Sequence, residues 1–422
     1  MLKINGQKPL SGTLNLSGSK NAALPLIALG CMFERSVIDN VPRIADVFSL
    51  LSIIESLGAK VEFQDHTVII ERNTFSLHNL DVANIKKIRV GLLLIPALYQ
   101  TLGSLTLPTP GWCALGARHI NDHIHGFQDL WLEVELDNDA SHVSVSGEFF
   151  VGERSLSAWF WVTPTENILM MSALRPGVTH IRFAAIEPHV INLVEALQSV
   201  GFDIEVLFDH TIKIVGNPDL FSSHLQATVQ NDPIEAGTYM IIAALMSEEY
   251  IDIRWVQTSH LGMFLNTFRS TGARYDMIDD TTMRVYRSRE LAPVKFQTNI
   301  FPGFPTDLQS PFSILLTQAQ GDSRIHEVMF ESRLGWLAEL ESLKWKATVL
   351  NPHQAIIHGP TQLVWGNVAS WDLRAGVAMI IAGLIARGTT HVTNIRYIDR
   401  GYEDIIGKLQ AIGADIERID ED

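Results

Sequence analysis

Apolar and polar positions recur along the chain in a unit of about 70 residues. Each unit contains an apolar helical stretch, a strand, a second helix ending in a small-residue turn, and a pair of alternating strands. The turns that end the second helices lie 69 to 73 residues apart, at Gly58, Trp131, Gly201, Gly272, Lys344 and Gly413. A unit of this size is too large for a solenoid repeat. The pattern therefore predicts an α/β protein built from six βαβαββ subdomains.

The turn itself predicts a local backbone conformation. A glycine just after the last helical turn adopts the left-handed conformation without Cβ strain, and Gly58 is followed by the alternating segment Lys60–Phe63. Two of the six turns have Trp131 and Lys344 in place of glycine. We expect those two helices to end with a different geometry.

Several first helices are apolar on nearly every side. They are Ala22–Leu29, Ile168–Ala173, Thr238–Ala244 and Val377–Ile385. Helices of this kind are normally buried in a core rather than laid on a surface. Three buried helices could be enclosed by three sheets, and six units would then make two similar lobes, a grouping that rests partly on analogy with known folds.

Composition excludes several classes of protein. The 422 residues are 46% hydrophobic and 19% charged, which is typical of a globular chain. The net charge of −15 argues against a nucleic-acid binder, and an anionic ligand would need a local cluster of cations. Two cysteines argue against a disulfide scaffold and fit a reducing compartment. The start has no signal-peptide pattern, and the apolar run Ile88–Tyr99 is too short to span a bilayer. We expect a soluble cytoplasmic protein with no membrane partner.

Five separated motifs closely resemble those of the enolpyruvyl transferases, on the UDP-N-acetylglucosamine 1-carboxyvinyltransferase branch rather than the shikimate branch. They are Ser17–Ala23 (SGSKNAA), Pro110–Arg118 (PGWCALGAR), Phe304–Gln309 (FPTDLQ), Asp372–Ala375 (DLRA) and Ile398–Glu403 (IDRGYE). The resemblance covers essentially the whole chain, with the motifs in the family's order.

The resemblance implies a fold and a reaction. The fold is a two-lobed inside-out α/β barrel of six βαβαββ repeats, three per lobe. One lobe would be 22–229 and the other 1–21 with 230–422, with hinges near 20–21 and 228–231. The reaction transfers the enolpyruvyl group of phosphoenolpyruvate to a sugar-nucleotide hydroxyl and releases phosphate, as in the first committed step of peptidoglycan synthesis. It needs no metal and no cofactor, and we expect a monomer or a weak homo-oligomer.

On the donor side, the resemblance assigns phosphoenolpyruvate binding to a set of cations. They are Lys20, Arg89, Arg118, Arg374 and Arg400. Phosphoenolpyruvate carries a phosphate and a carboxylate, and arginine contacts such groups through two parallel hydrogen bonds while staying charged. For any one of these residues the alternative is an ordinary surface charge.

The resemblance assigns catalytic roles to Cys113 and Asp307, together with Lys20 and Arg400. Cys113 would protonate C3 of phosphoenolpyruvate or add to C2, which also predicts sensitivity to fosfomycin-like epoxides, whereas Cys31 is expected to be an inert buried thiol. Asp307 would accept the proton of the acceptor hydroxyl. Its alternative role is a helix N-cap. Asp372 and Asp399 are expected to orient neighbouring arginines.

Most departures from the family concern the acceptor. Residues assigned to this side are Asn21, Arg89, His123, Trp161, Thr163, Thr306, Asp307, Met329 and Arg333. The family's uracil-binding Pro-Val-Asp-Leu-His is His119–His123 here, and its diphosphate-binding Lys-Val-Ser-Val-Gly is Trp159–Thr163. His189 and Pro233 also replace a family carboxylate and arginine. The aromatic residues at 159–161 would either bind the acceptor or pack in a core.

Several functions fit these residues. The first is transfer to UDP-N-acetylglucosamine. The second is a paralogue that modifies another nucleotide or nucleoside hydroxyl, as in nucleoside natural-product pathways. A third is a non-catalytic relative that binds phosphoenolpyruvate. A zinc site at His119, His123 and His125 has suitable spacing, but the family chemistry needs no metal, so we expect none.

Overall fold

The computed structural model describes residues 1–87, 89–109 and 120–419, without the side chains of residues 87 and 89. Within these ranges the chain divides into two compact units. We call residues 1–17 and 231–419 the terminal unit. We call the described residues between 18 and 230 the central unit.

The helices of the described ranges are mostly short. The α-helices are α1 Lys20–Gly30, α2 Ala45–Ser56, α3 Val82–Lys87, α4 Ile95–Leu102, α5 Asn121–Asp129, α6 Val162–Leu174, α7 Pro188–Ser199, α8 Pro233–Met246, α9 Met263–Ser270, α10 Gln309–Leu316, α11 Leu373–Ile385 and α12 Ile405–Ala411. Short 3₁₀-helices are Arg89–Leu94, Pro218–Ser222, Thr258–His260, Thr306–Leu308, Gly335–Leu343 and Ile395–Arg400. No helix in this part of the chain is long and apolar enough to cross a membrane.

The strands are also short. They are β1 Leu2–Asn5, β2 Leu10–Asn15, β3 Arg35–Asp39, β4 Lys60–Gln64, β5 Thr67–Glu71, β6 Leu105–Pro108, β7 Glu133–Leu136, β8 His142–Ser146, β9 Arg154–Ser157, β10 Gly177–Arg182, β11 Asp203–Val206, β12 Ile212–Gly216, β13 His224–Thr228, β14 Ser247–Arg254, β15 Tyr275–Met277, β16 Met283–Tyr286, β17 Lys295–Gln297, β18 Asp322–His326, β19 Ala347–Asn351, β20 Gln354–His358, β21 Asn367–Ala369, β22 Thr389–Thr393 and β23 Asp415–Arg418.

In the described ranges these strands form six small sheets. The central unit has β13-β3-β5-β4, β11-β12-β10-β9 and β6-β8-β7. The terminal unit has β21-β22-β1-β23, β15-β16-β14-β2 and β17-β18-β20-β19. Every four-stranded sheet has one parallel edge pair followed by two antiparallel pairs, and β6-β8-β7 has the antiparallel pairs alone. The fold is therefore mixed α/β, as the sequence predicts.

Each unit has a core of its own around apolar helices. Helices α1 and α6 contribute fully buried residues to the central core, and α8 and α11 contribute them to the terminal core. Ile168 on α6 and Ile380 on α11, for example, have no exposed surface. The prediction that the four apolar helices are buried is confirmed.

The prediction of a different geometry at Trp131 and Lys344 is wrong. Their φ angles are 73° and 60°, so both are left-handed like the four glycines at the equivalent turns. Each residue donates its backbone N–H to the carbonyl three positions earlier, at 2.9 Å for Trp131 and 3.0 Å for Lys344, as Gly201 does at 3.0 Å. A left-handed residue with a Cβ costs roughly 1–2 kcal/mol, which the surrounding packing evidently tolerates.

Candidate functional site

The terminal unit contains a buried cluster of three charges. The carboxylate of Asp307 accepts a hydrogen bond from Nη2 of Arg333 at 2.8 Å. Oδ2 of the same carboxylate accepts a hydrogen bond from Nε of Arg374 at 3.0 Å, and Nη2 of Arg374 lies 2.8 Å from that oxygen as an ion pair. Both arginine side chains are almost fully buried, while a quarter of the Asp307 side chain is exposed. We call this group the Arg333–Asp307–Arg374 triad. It unites three residues that the sequence assigns to donor and acceptor binding.

Local folding explains how the triad is held. Arg374 lies in the first turn of α11, and Asp372 caps that helix by accepting from the backbone N–H groups of Arg374 and Ala375 at 2.7 and 3.0 Å. An N-cap of this kind fixes the start of a helix. Asp372 therefore positions Arg374 through the backbone. Asp399, by contrast, binds the exposed Arg418 at 2.7 Å.

The triad sets the protonation state of its members. Burial raises the pKa of Asp307, but the guanidinium groups of Arg374 and Arg333 lower it by more, so the net pKa is well below the usual range. Burial lowers the pKa of Arg374, and the charge of Asp307 more than compensates. Asp307 and Arg374 are therefore both charged. The N-cap alternative for Asp307 is wrong, because Pro305 and Leu308 occupy the cap positions of the two adjacent helical segments.

One nitrogen of the triad has unused hydrogen-bonding capacity. Nη1 of Arg374 is buried without a hydrogen bond of ordinary geometry to the described residues. A buried charged donor without an acceptor is costly. An anionic oxygen of a ligand would satisfy it.

Two buried carboxylates beside these residues were not predicted from the sequence. Glu327 has no exposed surface and accepts from Thr298 Oγ1 at 2.8 Å, Thr306 Oγ1 at 2.8 Å and the backbone N–H of Met329 at 2.9 Å. It thereby joins two predicted acceptor residues, Thr306 and Met329. Asp232 caps α8, and burial raises its pKa to about 6 against the opposing charge of Arg374. Asp232 directly precedes Pro233 at the start of an apolar helix, a typical N-cap position, whereas no local sequence pattern marks Glu327.

The predicted donor residues fall in both units. In the terminal unit, Arg400 is the last residue of the 3₁₀-helix Ile395–Arg400 and is half-buried. In the central unit, Lys20 opens α1, and its Nζ lies 2.6 Å from Oδ2 of the buried Asp46. Asn21 follows it on α1 and is half-buried. The catalytic candidate Cys113 lies outside the described residues. So do Arg118, His119 and the side chain of Arg89.

Two predicted acceptor residues meet in the central unit. Thr163 Oγ1 on α6 lies 3.3 Å from Nε2 of the buried His123 on α5. Asn167 Nδ2 donates to His123 Nδ1 at 2.9 Å and to the Leu92 carbonyl at 2.9 Å. Because an amide nitrogen only donates, this contact places the imidazole proton on Nε2, facing the threonine hydroxyl. Asn167 is a further residue that the sequence reasoning missed.

The aromatic segment before α6 is only partly buried. Trp159 is 61% exposed, and its ring stacks on Phe183 with centroids 6.1 Å apart and an interplanar angle of 22°. Phe160 packs against Phe183 and His210. Trp161 is the N-cap residue of α6. Phe183 comes from the β10–α7 connection, so no local sequence pattern indicates the stack.

Two smaller predictions concern other side chains. Cys31 is fully buried, and burial raises its pKa to about 12 despite the nearby Arg72. This is the environment of an inert thiol. In the described ranges no group of three or more His, Cys, Asp or Glu side chains is placed to hold a metal ion.

Comparison with known proteins gives consistent matches over the whole chain. The family model of EPSP synthase (3-phosphoshikimate 1-carboxyvinyltransferase) matches residues 4–409. The UDP-N-acetylglucosamine 1-carboxyvinyltransferase of Campylobacter fetus is 35% identical over 421 residues, which is 100% of this chain and 99% of that protein. UDP-N-acetylglucosamine 1-carboxyvinyltransferase 2 of Listeria monocytogenes is 37% identical over 418 residues, 99% of this chain and 97% of that protein.

Solved structures match the fold at lower identity. The enolpyruvyl transferase NikO from Streptomyces tendae has a TM-score of 0.88 at 24% identity, covering 99% of this chain and 98% of that one. EPSP synthase from Acinetobacter baumannii has a TM-score of 0.72 at 17% identity, covering 99% of both chains. At these identities the two structures establish the fold alone.

Proposed function

The chain belongs to the EPSP synthase family, and from that premise we propose that it transfers the enolpyruvyl group of phosphoenolpyruvate to a sugar-nucleotide hydroxyl and releases phosphate. UDP-N-acetylglucosamine is the proposed acceptor, because full-length relatives at 35% and 37% identity carry that activity in their names. The observation that carries the proposal in this chain is the Arg333–Asp307–Arg374 triad. It places a carboxylate base beside two buried cations.

Donor binding follows from the charges. Phosphoenolpyruvate brings a carboxylate and a phosphate, and Arg374 offers a buried guanidinium whose Nη1 has no hydrogen bond to residues 1–87, 89–109 or 120–419. We assign Lys20, Arg89, Arg118 and Arg400 to the same ligand on the strength of the family motifs. In a chain of net charge −15, these cations would give a local positive region that attracts the donor.

The proposed chemistry is an addition followed by an elimination. The acceptor oxygen bonds to C2 of phosphoenolpyruvate while Asp307 takes the hydroxyl proton and Cys113 gives a proton to C3. The product of this step is a tetrahedral phospholactoyl intermediate. The C2–O bond to phosphate then breaks as the Cys113 thiolate takes a proton from C3, and the proton held by Asp307 passes to the departing phosphate. Inorganic phosphate and the enolpyruvyl ether leave, so atoms and electrons balance.

The triad also constrains when Asp307 can act. With both arginines bound, Asp307 is ionised but weakly basic, because its pKa is well below the usual range. An anionic group of phosphoenolpyruvate competes with Asp307 for Arg374. The pKa of Asp307 rises as that ion pair weakens. The base therefore gains strength when the donor arrives.

The finer architecture belongs to the same proposal. We propose an inside-out barrel of six βαβαββ repeats in two lobes, 22–229 and 1–21 with 230–422, with hinges near 20–21 and 228–231. The common strand pattern of the four-stranded sheets and the left-handed turn ending each second helix support the repeat. A cytoplasmic enzyme, monomeric or weakly oligomeric, remains a prediction from the sequence.

A second acceptor class is favoured by one specific observation. Residues 159–163 read Trp-Phe-Trp-Val-Thr, without the lysine, serine and glycine that hold the diphosphate in the family. An acceptor without a diphosphate, such as a nucleoside or nucleoside monophosphate with a free hydroxyl, would not need them. A non-catalytic phosphoenolpyruvate-binding relative is the third candidate. Retention of Cys113, Asp307 and the cations argues against it.

Phosphate release from phosphoenolpyruvate tests the proposal. The purified chain is incubated with UDP-N-acetylglucosamine, then with UMP, UDP, other UDP-sugars and nucleosides. We expect release with UDP-N-acetylglucosamine, abolished or strongly slowed in Cys113→Ala with acceptor binding intact. Release with another acceptor alone would assign the second class. No release with any acceptor, with phosphoenolpyruvate still bound, would favour the non-catalytic relative.

A further inference from the structure

We propose that the stacked rings of Trp159 and Phe183 form a surface on which the acceptor's nucleobase stacks, an inference that rests on the proposed function. We call the two rings the aromatic shelf. Trp159 is 61% exposed and Phe183 is 44% exposed, so neither ring is a core residue. The two rings are nearly parallel, which is also the geometry in which a planar heterocycle stacks on aromatic side chains.

The backbone fixes the shelf in an unusual conformation. Trp159, Phe160 and Phe183 have φ angles of 51°, 59° and 50°. A bulky side chain in this region is a true outlier, and such outliers cluster at functional sites. Two hydrogen bonds join the segments: Phe160 N–H donates to the Phe183 carbonyl at 2.6 Å, and Ala158 N–H donates to the Arg182 carbonyl at 2.9 Å. The rings are therefore placed by two tied segments rather than by a flexible loop.

The shelf adjoins residues assigned to the acceptor. Four positions separate Trp159 from Thr163, whose hydroxyl meets His123. Trp161, between them, caps α6, and its carbonyl accepts from Thr165 Oγ1 at 2.7 Å. The shelf thus lies where the family sequence holds a diphosphate. This chain therefore has aromatic rings in the segment where the family has a lysine.

A second tryptophan in the same unit provides a contrast. Trp131 is 59% exposed, left-handed at φ 73° and packed against Phe150, with ring centroids 5.2 Å apart and an interplanar angle of 38°. The guanidinium of Arg154 lies over both of those rings, at 4.9 and 4.4 Å. Among the described residues no cation lies over Trp159 or Phe183. Within that part of the chain the shelf therefore differs from the Trp131 and Phe150 pair, whose rings are covered by a guanidinium.

The class of ligand follows from this chemistry. Stacking uses the π face that every base has, and it needs no charge on the ligand. The shelf should therefore recognise the base whether the acceptor carries no phosphate, one phosphate or a diphosphate sugar. Sugar phosphates without a base should gain nothing from it.

The test is equilibrium binding by calorimetry to the full chain. Ligands are uridine, UMP, UDP-N-acetylglucosamine and the base-free N-acetylglucosamine 1-phosphate. We expect Trp159→Ala and Phe183→Ala to weaken the three base-containing ligands by a similar factor of about 5 to 150, the range for one stacked base. Trp159→Phe should restore most of the affinity. Trp131→Ala is the matched control and should bind as the wild type does.

The inference is overturned by unchanged affinity in Trp159→Ala, by a loss confined to phosphate-bearing ligands, or by a wild-type protein that binds none of the base-containing ligands. Equal losses in Trp131→Ala and Trp159→Ala would overturn it too, because they indicate general destabilisation. Phosphate release separates the two proposals. If phosphate is released and the shelf variants bind the ligands as the wild type does, only the inference about the shelf is wrong. If binding depends on the shelf without any release, the proposed function fails alone.

Discussion

The terminal and central units meet their proposed ligands with opposite chemistry. The terminal unit presents the triad, in which two buried arginines share one carboxylate. The central unit presents the aromatic shelf, in which exposed rings stack on a left-handed backbone. The planar guanidinium of an arginine recognises an anion of matching geometry, whereas an aromatic face accepts any planar ring. A change in the Trp159–Thr163 segment of the central unit can therefore alter how an acceptor is held without altering the triad.

The largest expected effect comes from Asp307→Asn. This change removes the proposed base while keeping the size of the side chain. Loss of general-base catalysis should lower kcat for phosphate release by about 10²- to 10⁴-fold. It also leaves Arg333 and Arg374 without their shared carboxylate, so the thermal midpoint of the terminal unit should fall.

The matched control for that change is Asp252→Asn. Asp252 pairs with Arg284, accepting from Nε at 2.8 Å and from Nη2 at 2.9 Å, elsewhere in the terminal unit. It should lower stability slightly and leave kcat unchanged. A wild-type kcat in Asp307→Asn would remove Asp307 from the reaction and reduce the triad to a structural ion pair.

Arg374→Ala should act on the donor. A hydrogen bond to a charged group contributes about 1.5–3 kcal/mol, so we expect KM for phosphoenolpyruvate to rise by roughly 10- to 150-fold. The KM for the acceptor should change less, which a steady-state comparison of both substrates would reveal. Arg418→Ala, at the exposed pair with Asp399, serves as the control. Unchanged phosphoenolpyruvate kinetics would contradict donor binding at the triad.

Glu327 is a carboxylate of the terminal unit that we place on the acceptor side. It therefore tests whether this unit also contributes to acceptor binding. Glu327→Ala leaves Thr298, Thr306 and the Met329 N–H without their acceptor, a cost of about 1–3 kcal/mol for each buried group. If Glu327 positions Thr306 and Met329 for the acceptor, KM for the acceptor should rise more than KM for phosphoenolpyruvate. Glu327→Gln keeps one acceptor oxygen and should recover part of the loss. Equal changes in both KM values would indicate a structural role only.

The sequence predicted the parts of this molecule that depend on local pattern. The apolar pattern predicted the four buried helices, and the resemblance to the family pointed to Asp307, Arg333 and Arg374, which do meet. Contacts between distant segments escaped it. Phe183 is 24 positions from Trp159, and the carboxylate of Glu327 binds Thr306 across 21 positions. Neither pairing follows from periodicity, since each depends on how two connections approach in the folded unit.

The turn residues show where a local rule fails. Glycine was expected to be needed for the left-handed turn, yet Trp131 and Lys344 adopt it. Propensity is a weak preference, and tertiary packing can override it. The prediction for Trp131 and Lys344 failed because it overestimated the free-energy cost of placing a residue other than glycine in the left-handed conformation.

The smallest expected effect is a change in the free energy of unfolding, which reports the cost of the left-handed turn in each unit. In the terminal unit, Lys344→Gly removes a left-handed strain of roughly 1–2 kcal/mol but adds about 0.5–1 kcal/mol of unfolded-state entropy. The net gain should be at most about 1.5 kcal/mol, the difference between these two ranges. In the central unit, Gly201→Ala places a Cβ at φ 105° and should destabilise the fold by a comparable amount. Denaturant unfolding of the two variants beside the wild type checks both signs. If Lys344→Gly were less stable than the wild type, the side-chain contacts of Lys344 would outweigh its backbone strain. The turns at Lys344 and Gly201 would then share a backbone geometry but differ in their energetics.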